Sequence, residues 1–117
     1  MEKRNEILEL SFEFAIDIIR FSELLEEQKK YIIARQLLKS GTSIGANVRE
    51  SQNSESKADF IHKLKIAAKE ADETEYWLLL CQHSPGYPFD PILISKLISI
   101  KKLLSSIISK MKSQTHT

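Results

Sequence analysis

The sequence predicts an all-α protein, an antiparallel up-down-up-down four-helix bundle. Three observations carry this prediction. Apolar residues recur at spacings of three and four along most of the chain, which gathers them on one face of successive helices. Chain breakers are scarce, with three Gly and three Pro in 117 residues, which disfavours a many-turned β fold. The breaks that do occur leave segments of helix length joined by short connections, the pattern of neighbouring antiparallel helices. A chain of this size fits one domain, residues 1–117, with a single core.

The first helix is expected over about residues 5–25. Ile7, Leu10, Phe14, Ile18, Phe21 and Leu25 form its main stripe, and Leu8, Phe12, Ala15 and Ile19 flank it. Glu9, Glu13, Asp17 and Arg20 occupy the far face, with Asp17 and Arg20 spaced to pair. No Gly or Pro marks the end of this helix, so the turn near residues 26–28 is inferred from helix length alone.

The second helix is expected over about residues 29–51, with Ile33, Leu37, Gly41, Ile44 and Val48 as its stripe. Gly41 and Gly45 stand four apart. Two glycines inside a helix cost about 1 kcal/mol each relative to alanine, so something must offset them. Small residues at this spacing let another helix approach closely. The alternative, that Gly41 ends a shorter helix, is disfavoured because the stripe keeps its phase through Ile44 and Val48.

Ser51-Gln52-Asn53-Ser54-Glu55 reads as a turn, and Ser54 or Ser56 can cap the next helix. That third helix is expected over about residues 57–83, with Phe60, Leu64, Ala67, Ala71, Thr74 and Leu78 in bundle rhythm. Ser84-Pro85-Gly86-Tyr87-Pro88 is a clear break. Asp90 before Pro91 is a start signal, an N-cap followed by proline in the first helical position. The fourth helix is expected over about residues 91–111, its stripe being Leu93, Leu97, Ile100, Leu104, Ile107 and Met111. Ile92, Ile94 and Ile98 lie beyond that stripe, so the apolar arc is wider than a bundle core needs. This surplus, with the small-residue patch on the second helix, predicts self-association. A thicker core under Tyr76, Trp77 and Phe89 is the competing explanation. Residues 113–117 are expected to fray.

The net charge of +1 conceals an asymmetry. Residues 1–30 carry five basic and eight acidic groups, whereas residues 91–117 carry five lysines and no acid. The favoured reading is that the acidic first helix and basic last helix complement each other, within one bundle or across an interface. The rival reading is a nucleic-acid footprint on Lys96, Lys101, Lys102, Lys110 and Lys112. One cysteine, Cys81, excludes an internal disulfide, and the chain opens on no secretory segment, which together point to the cytoplasm. No run approaches the roughly 20 apolar residues of a membrane span.

Catalytic signatures are missing. The chain has no phosphate loop, dinucleotide fingerprint, zinc-protease helix or nucleophile elbow. His62, His83 and His116 are far apart, and no Glu is followed by His three residues later, as di-metal bundles require. No cofactor, metal, small-molecule substrate or enzymatic activity is expected, and Cys81 reads as a small buried hydrophobe. Folding the second and third helices back about residues 53–54 sets Arg35 and Lys39 against the acids Glu70, Asp72, Glu73 and Glu75. The same model sets Asn47 near Phe60 and Ser43 near Leu64. A Lys69–Glu73 pair is also spaced to form. Ser43, Asn47 and Glu50 make a polar row that needs hydrogen-bond partners. Bonding within the bundle or across a subunit interface is the simpler reading, and a composite site with Glu73 at a subunit junction is the competitor.

One stretch carries a resemblance. Gln36-Leu37-Leu38 leads to Thr42-Ser43-Ile44-Gly45-Ala46-Asn47 and Glu50. After the turn come Ser56, Asp59-Phe60-Ile61, Lys63-Leu64-Lys65-Ile66-Ala67, Lys69-Glu70-Ala71, Glu73-Thr74 and Tyr76-Trp77-Leu78. Over about residues 36–80 the chain resembles the bacterial four-helix-bundle proteins encoded in 23S rRNA intervening sequences, a family once labelled as a ribosomal protein. The resemblance implies a left-turning antiparallel bundle that assembles as a ring-shaped homopentamer, of unestablished role and without catalytic residues. A related group, the accessory proteins of diversity-generating retroelements, shares the pentamer and binds nucleic acid and a reverse transcriptase through a strongly basic surface. This chain departs from that pattern, because tight sequence-independent binding needs many phosphate contacts and its net charge is only +1. The oligomer or partner surface is therefore expected at Gly41, Ser43, Gly45, Asn47, Glu50, Glu70, Glu73 and Trp77.

Overall fold

The structure is a computed structural model that describes residues 5–114. These residues form four helices, α1 (Glu6–Glu27), α2 (Tyr31–Ser51), α3 (Lys57–His83) and α4 (Pro91–Gln114). Each helix packs on its neighbours in sequence, and α4 returns beside α1 to close an up-down-up-down bundle 53 × 28 × 21 Å across. The α1–α2 and α2–α3 faces are extensive, and the α1–α4 seam is the thinnest. The fourth helix runs past Met111 through Ser113 to Gln114, so part of the expected frayed tail is helical. Residues 115–117 lie outside the described residues, His116 among them.

Local chemistry explains each boundary. Asn5 caps α1, its side-chain oxygen accepting from Leu8 N at 3.2 Å, while its Nδ2 donates to Gln52 Oε1 at 2.8 Å. That second bond ties the start of α1 to the end of α2. Ser56 is the residue that caps α3, accepting from Asp59 N at 3.0 Å. Asp90 accepts from Ile92 N at 3.0 Å ahead of Pro91, as the start signal requires.

The turn that lacked a sequence mark uses a left-handed residue that is not glycine. Lys29 has φ 64°, its N–H donates to Glu26 O, and the next N–H, from Lys30, reaches back to Leu25 O at 2.8 Å. This is a Schellman motif, and it ends α1 two residues later than the stripe implied. Lys30 then places its ammonium 4.6 Å from the centre of the Tyr87 ring, which joins the α1–α2 turn to the α3–α4 connection.

The predicted stripes meet in one core. Phe14, Ile18, Leu25, Leu37, Ile44, Leu64, Leu78, Leu97, Ile100 and Leu104 are all fully buried, while Leu10, Ile33, Phe60, Ile107 and Met111 are half-buried at its margin. Within that core, Thr74 Oγ1 lies 2.9 Å from Ser40 Oγ and 2.7 Å from the Glu70 carbonyl. One polar contact thus pins α2 against α3 in an otherwise apolar layer.

The glycines of α2 serve this packing. A Cβ on Gly41 would come within 2.8 Å of Ile18 Cγ2, and one on Gly45 within 3.2 Å of the Ser11 carbonyl oxygen. The helix that approaches closely is therefore α1 of the same chain. Gly41 is buried, which corrects the expectation that it belongs to an oligomer surface.

The fold-back register also needs correction. Ser40 meets Thr74, and Glu50 meets Lys63 at 3.4 Å, so the hairpin pivots near residue 57 instead of residues 53–54. The Ser51–Ser56 turn occupies space that the simpler model gave to helix. Ser43 therefore lies level with about residue 70, and Asn47 with about residue 66.

Two stability changes follow. Lys29→Gly removes the left-handed penalty and is expected to raise unfolding free energy by about 1 kcal/mol. Gly41→Ala pushes a methyl into the β-branched, fully buried Ile18, and the overpacking outweighs alanine's helix propensity, for a loss of about 1–2 kcal/mol. Urea denaturation at fixed protein concentration measures both, and a Gly41→Ala protein as stable as the parent would refute the close-approach account.

Candidate functional site

The most conspicuous surface feature arises from the flanking stripe of α1. Phe12 is 63% exposed, and Ile16 and Ile19 are exposed beside it. The main stripe of α1 already fills the core, so this second row lies at its margin (Leu8, Ala15) or outside it (Phe12, Ile19). Against it, α2 offers the small residues Thr42, Gly45 and Ala46, since Gly45 must admit the Ser11 backbone. The result is an open groove of about 620 Å³, with Leu8, Phe12 and Ala15 on one wall and Thr42, Gly45 and Ala46 on the other. Glu9 and Arg49 line it as well. Leu38, on the outer face of α2, is also exposed.

The surplus on α4 is largely absorbed. Leu93, Leu97, Ile100 and Leu104 are buried and Ile94, Leu103, Ile107 and Ile108 pack on the core, leaving Ile92 and Ile98 exposed. The prominent apolar face is thus on α1. Its signal was present in Leu8, Phe12, Ala15 and Ile19, a row too regular to be incidental.

The remaining expected surface residues do not converge. Ser43 Oγ donates to the Lys39 carbonyl at 2.6 Å and Asn47 Nδ2 to the Ser43 carbonyl at 2.9 Å, both along α2 itself. Glu50 receives Lys63. Glu73 accepts from Trp77 Nε1 at 3.4 Å one turn away, and so does not form the expected pair with Lys69. The bonds of Ser43, Asn47 and Glu73 are local and that of Glu50 crosses to α3, and the larger cavities are lined by other side chains. Gly45 is the member of the set that lines the α1–α2 groove.

The acids of α3 find a different partner from the one expected. Lys101 of α4 lies 2.9 Å from both Asp72 Oδ1 and Glu75 Oε1. Hydrogen bonds to Asp72 and then Glu75 hold its pKa above that of an ordinary lysine. Arg35 and Lys39 form no ion pair with the cluster among the described residues, because the corrected register carries them past Asp72. Lys39 is felt only electrostatically by Glu70, whose pKa is raised by burial and by Glu73, with Lys39 acting against both. Asp17 passes over Arg20 and takes Lys96 at 2.6 Å, which raises the Lys96 pKa. One acidic–basic pair therefore joins α1 to α4, in keeping with their complementary charge. Lys102 and Lys110 are exposed and make no ion pair among the described residues.

Cys81 is buried and burial raises its thiol pKa, which leaves little thiolate to react. Among the described residues no group of three His, Cys, Asp or Glu side chains is arranged to hold a metal ion. No helix there is long and apolar enough to cross a membrane.

The family model for the 23S rRNA-intervening sequence protein matches residues 3–106. No curated protein matches the chain. Among solved structures, the chain is similar to a protein of unknown function from the S23 ribosomal protein family of Bacteroides thetaiotaomicron, at 47% sequence identity and a TM-score of 0.79. That match covers 87% of this chain and 97% of the other.

The Glu70 environment makes a pH prediction. A carboxyl group whose folded pKa is raised destabilises the fold when ionised, and the penalty vanishes below its ordinary value of 4.5. Glu70→Gln is therefore expected to raise stability at pH 7, with the gain disappearing as the pH falls through that range. Thermal unfolding of both proteins between pH 3.5 and 7 tests this, and a pH-independent difference would refute it.

Proposed function

Because the chain belongs to the 23S rRNA-intervening sequence protein family, we propose that it works as a non-enzymatic bundle that assembles with copies of itself, as a pentamer, in the role of scaffold or accessory factor. The observation that carries this reading is the exposed apolar row of α1 beside its groove. Contiguous apolar surface of this kind marks an interaction site, and covering it yields roughly 25 cal/mol per Å². The number five comes from the family resemblance.

Charge supports a particular arrangement. Pairing α1 with itself across a two-fold axis would bring Glu9, Glu13 and their equivalents together. The exposed α4 face carries Ile98 and Lys102 one turn apart, apolar and basic together. An α1 face of one copy on the α4 face of the next matches both properties. Such a contact is heterologous, and heterologous contacts form a ring where their rotation closes.

A second reading, nucleic-acid binding through α4, draws on Lys102 and Lys110. With Lys96 and Lys101 already paired, it has fewer phosphate contacts to offer, and its signature is affinity that falls steeply with salt.

Absolute mass by light scattering at low and high salt tests the first reading. A pentamer that persists at both is expected, because an apolar seam is not screened. Phe12→Glu, at a position outside the core, should yield monomers with unchanged helical circular dichroism. A parent protein that is monomeric at micromolar concentration overturns the proposal.

A further inference from the structure

The antiparallel packing of α1 and α4 fixes which of their residues stand at one height in the bundle. Asp17 meets Lys96 at 2.6 Å, and Leu10 and Glu13 share a small depression with Ser99 and Ile100. Each step back along α1 from Asp17 is matched by a step forward along α4 from Lys96. Ile16 therefore stands level with Ile98, and Phe12 with Lys102, to within about one residue, or about 1.5 Å. All four side chains are exposed. Phe12, Ile16 and Ile98 lie outside the core, and Lys102 makes no ion pair among the described residues.

A ring of upright copies conserves height. Rotation about an axis parallel to the long axis of the bundle moves a copy sideways and leaves every residue at its own level. An α4 that reaches the α1 face of a neighbour in this way arrives antiparallel to it and already in register. Relief and charge fit the same contact. The α1–α2 groove of about 620 Å³ has a low wall on α2, at Thr42, Gly45 and Ala46, and Phe12 standing high on α1. The outer face of α4 carries Ile98 among the small, exposed Ser95, Ser106 and Ser109, a relief that lets a helix seat beside a tall aromatic ring. Glu9 and Glu13 flank Phe12 on α1, and Lys102 is the cation that comes to their level.

We propose that α4 of one copy lies in the α1–α2 groove of the next at unchanged height, with Ile98 packed on the neighbouring copy's Ile16 and the Lys102 ammonium over its Phe12 ring. This register rests on the self-assembly proposed above, and adds to it the side chains that meet and the upright stance of the bundles. It does not depend on how many copies close the ring.

The test uses two single substitutions in the full chain, Ile16→Cys and Ile98→Cys, both at exposed positions. Cys81 is buried and stays in place, and the parent protein gives the background. One variant is lengthened by a tag, so that mixed and like dimers differ in mass. The two are combined, left to exchange subunits and mildly oxidised. A disulfide needs Cβ atoms within about 4.5 Å, so the mixed dimer is the expected product, and neither variant should link to itself above the parent. Ile92→Cys stands about 9 Å off level and should link to Ile16→Cys about tenfold more slowly, or worse. Lys102→Glu should weaken the assembly about fivefold, through loss of a cation over an aromatic face. Failure to form the mixed dimer, while light scattering finds an assembly, overturns the register and leaves self-assembly standing. Ile16→Cys linking to itself overturns the register in favour of a two-fold contact. A monomer by light scattering overturns both.

Discussion

The approach of α1 to α2 is the constraint on which the other features depend. Gly41 leaves room for Ile18, and Gly45 for the backbone at Ser11. With α1 drawn in this far, its main stripe reaches the bundle axis and its second stripe is left outside. A larger residue at either glycine would lift α1 away and change which of its faces meets water. The apolar groove and the sealed core are therefore two results of one packing decision. The helical cost of two glycines is offset by the contact they permit.

Across the bundle the restraints are of another kind. α2 and α3 are registered by a buried Thr74–Ser40 contact, and α3 and α4 by the double engagement of Lys101 with Asp72 and Glu75. Exposed ion pairs contribute little to stability, about 0–1 kcal/mol each, but they discriminate between registers that apolar packing alone would accept. Lys101 and Lys96, two of the five basic groups of α4, are used in this way. Lys102 and Lys110 stay exposed and make no ion pair among the described residues.

Much of this architecture was legible in the sequence. The stripe of α1 from Ile7 to Leu25, the continuous α2 through its glycines and the Asp90–Pro91 start all express periodicity or capping chemistry that is local in the chain. What escaped was non-local or rested on a rare conformation. A lysine at φ 64° carries no compositional signal, so the first turn could be placed only by length. The α2–α3 register depends on how much chain the Ser51–Ser56 turn consumes, which misplaced the partners of Arg35, Lys39, Ser43 and Asn47. The glycine spacing announced a close helix contact but not which helix would make it. The candidate surface was visible as the row Leu8, Phe12, Ala15 and Ile19, and was underrated because a row flanking a core stripe so often joins the core.

The bond from Asn5 to Gln52 and the stacking of Lys30 on Tyr87 sit at opposite ends of the bundle. Their separation makes the two ends unlike. One is closed by two tight connections clasped by a cation over an aromatic ring. The other gathers the beginning of α1, the α2–α3 turn and the end of α4. A molecule of this kind has a polarity along its long axis, with the start of α1 and the end of α4 on one side. Copies arranged in parallel around an axis would inherit that polarity, presenting a capped face to one side and the α2–α3 turns to the other.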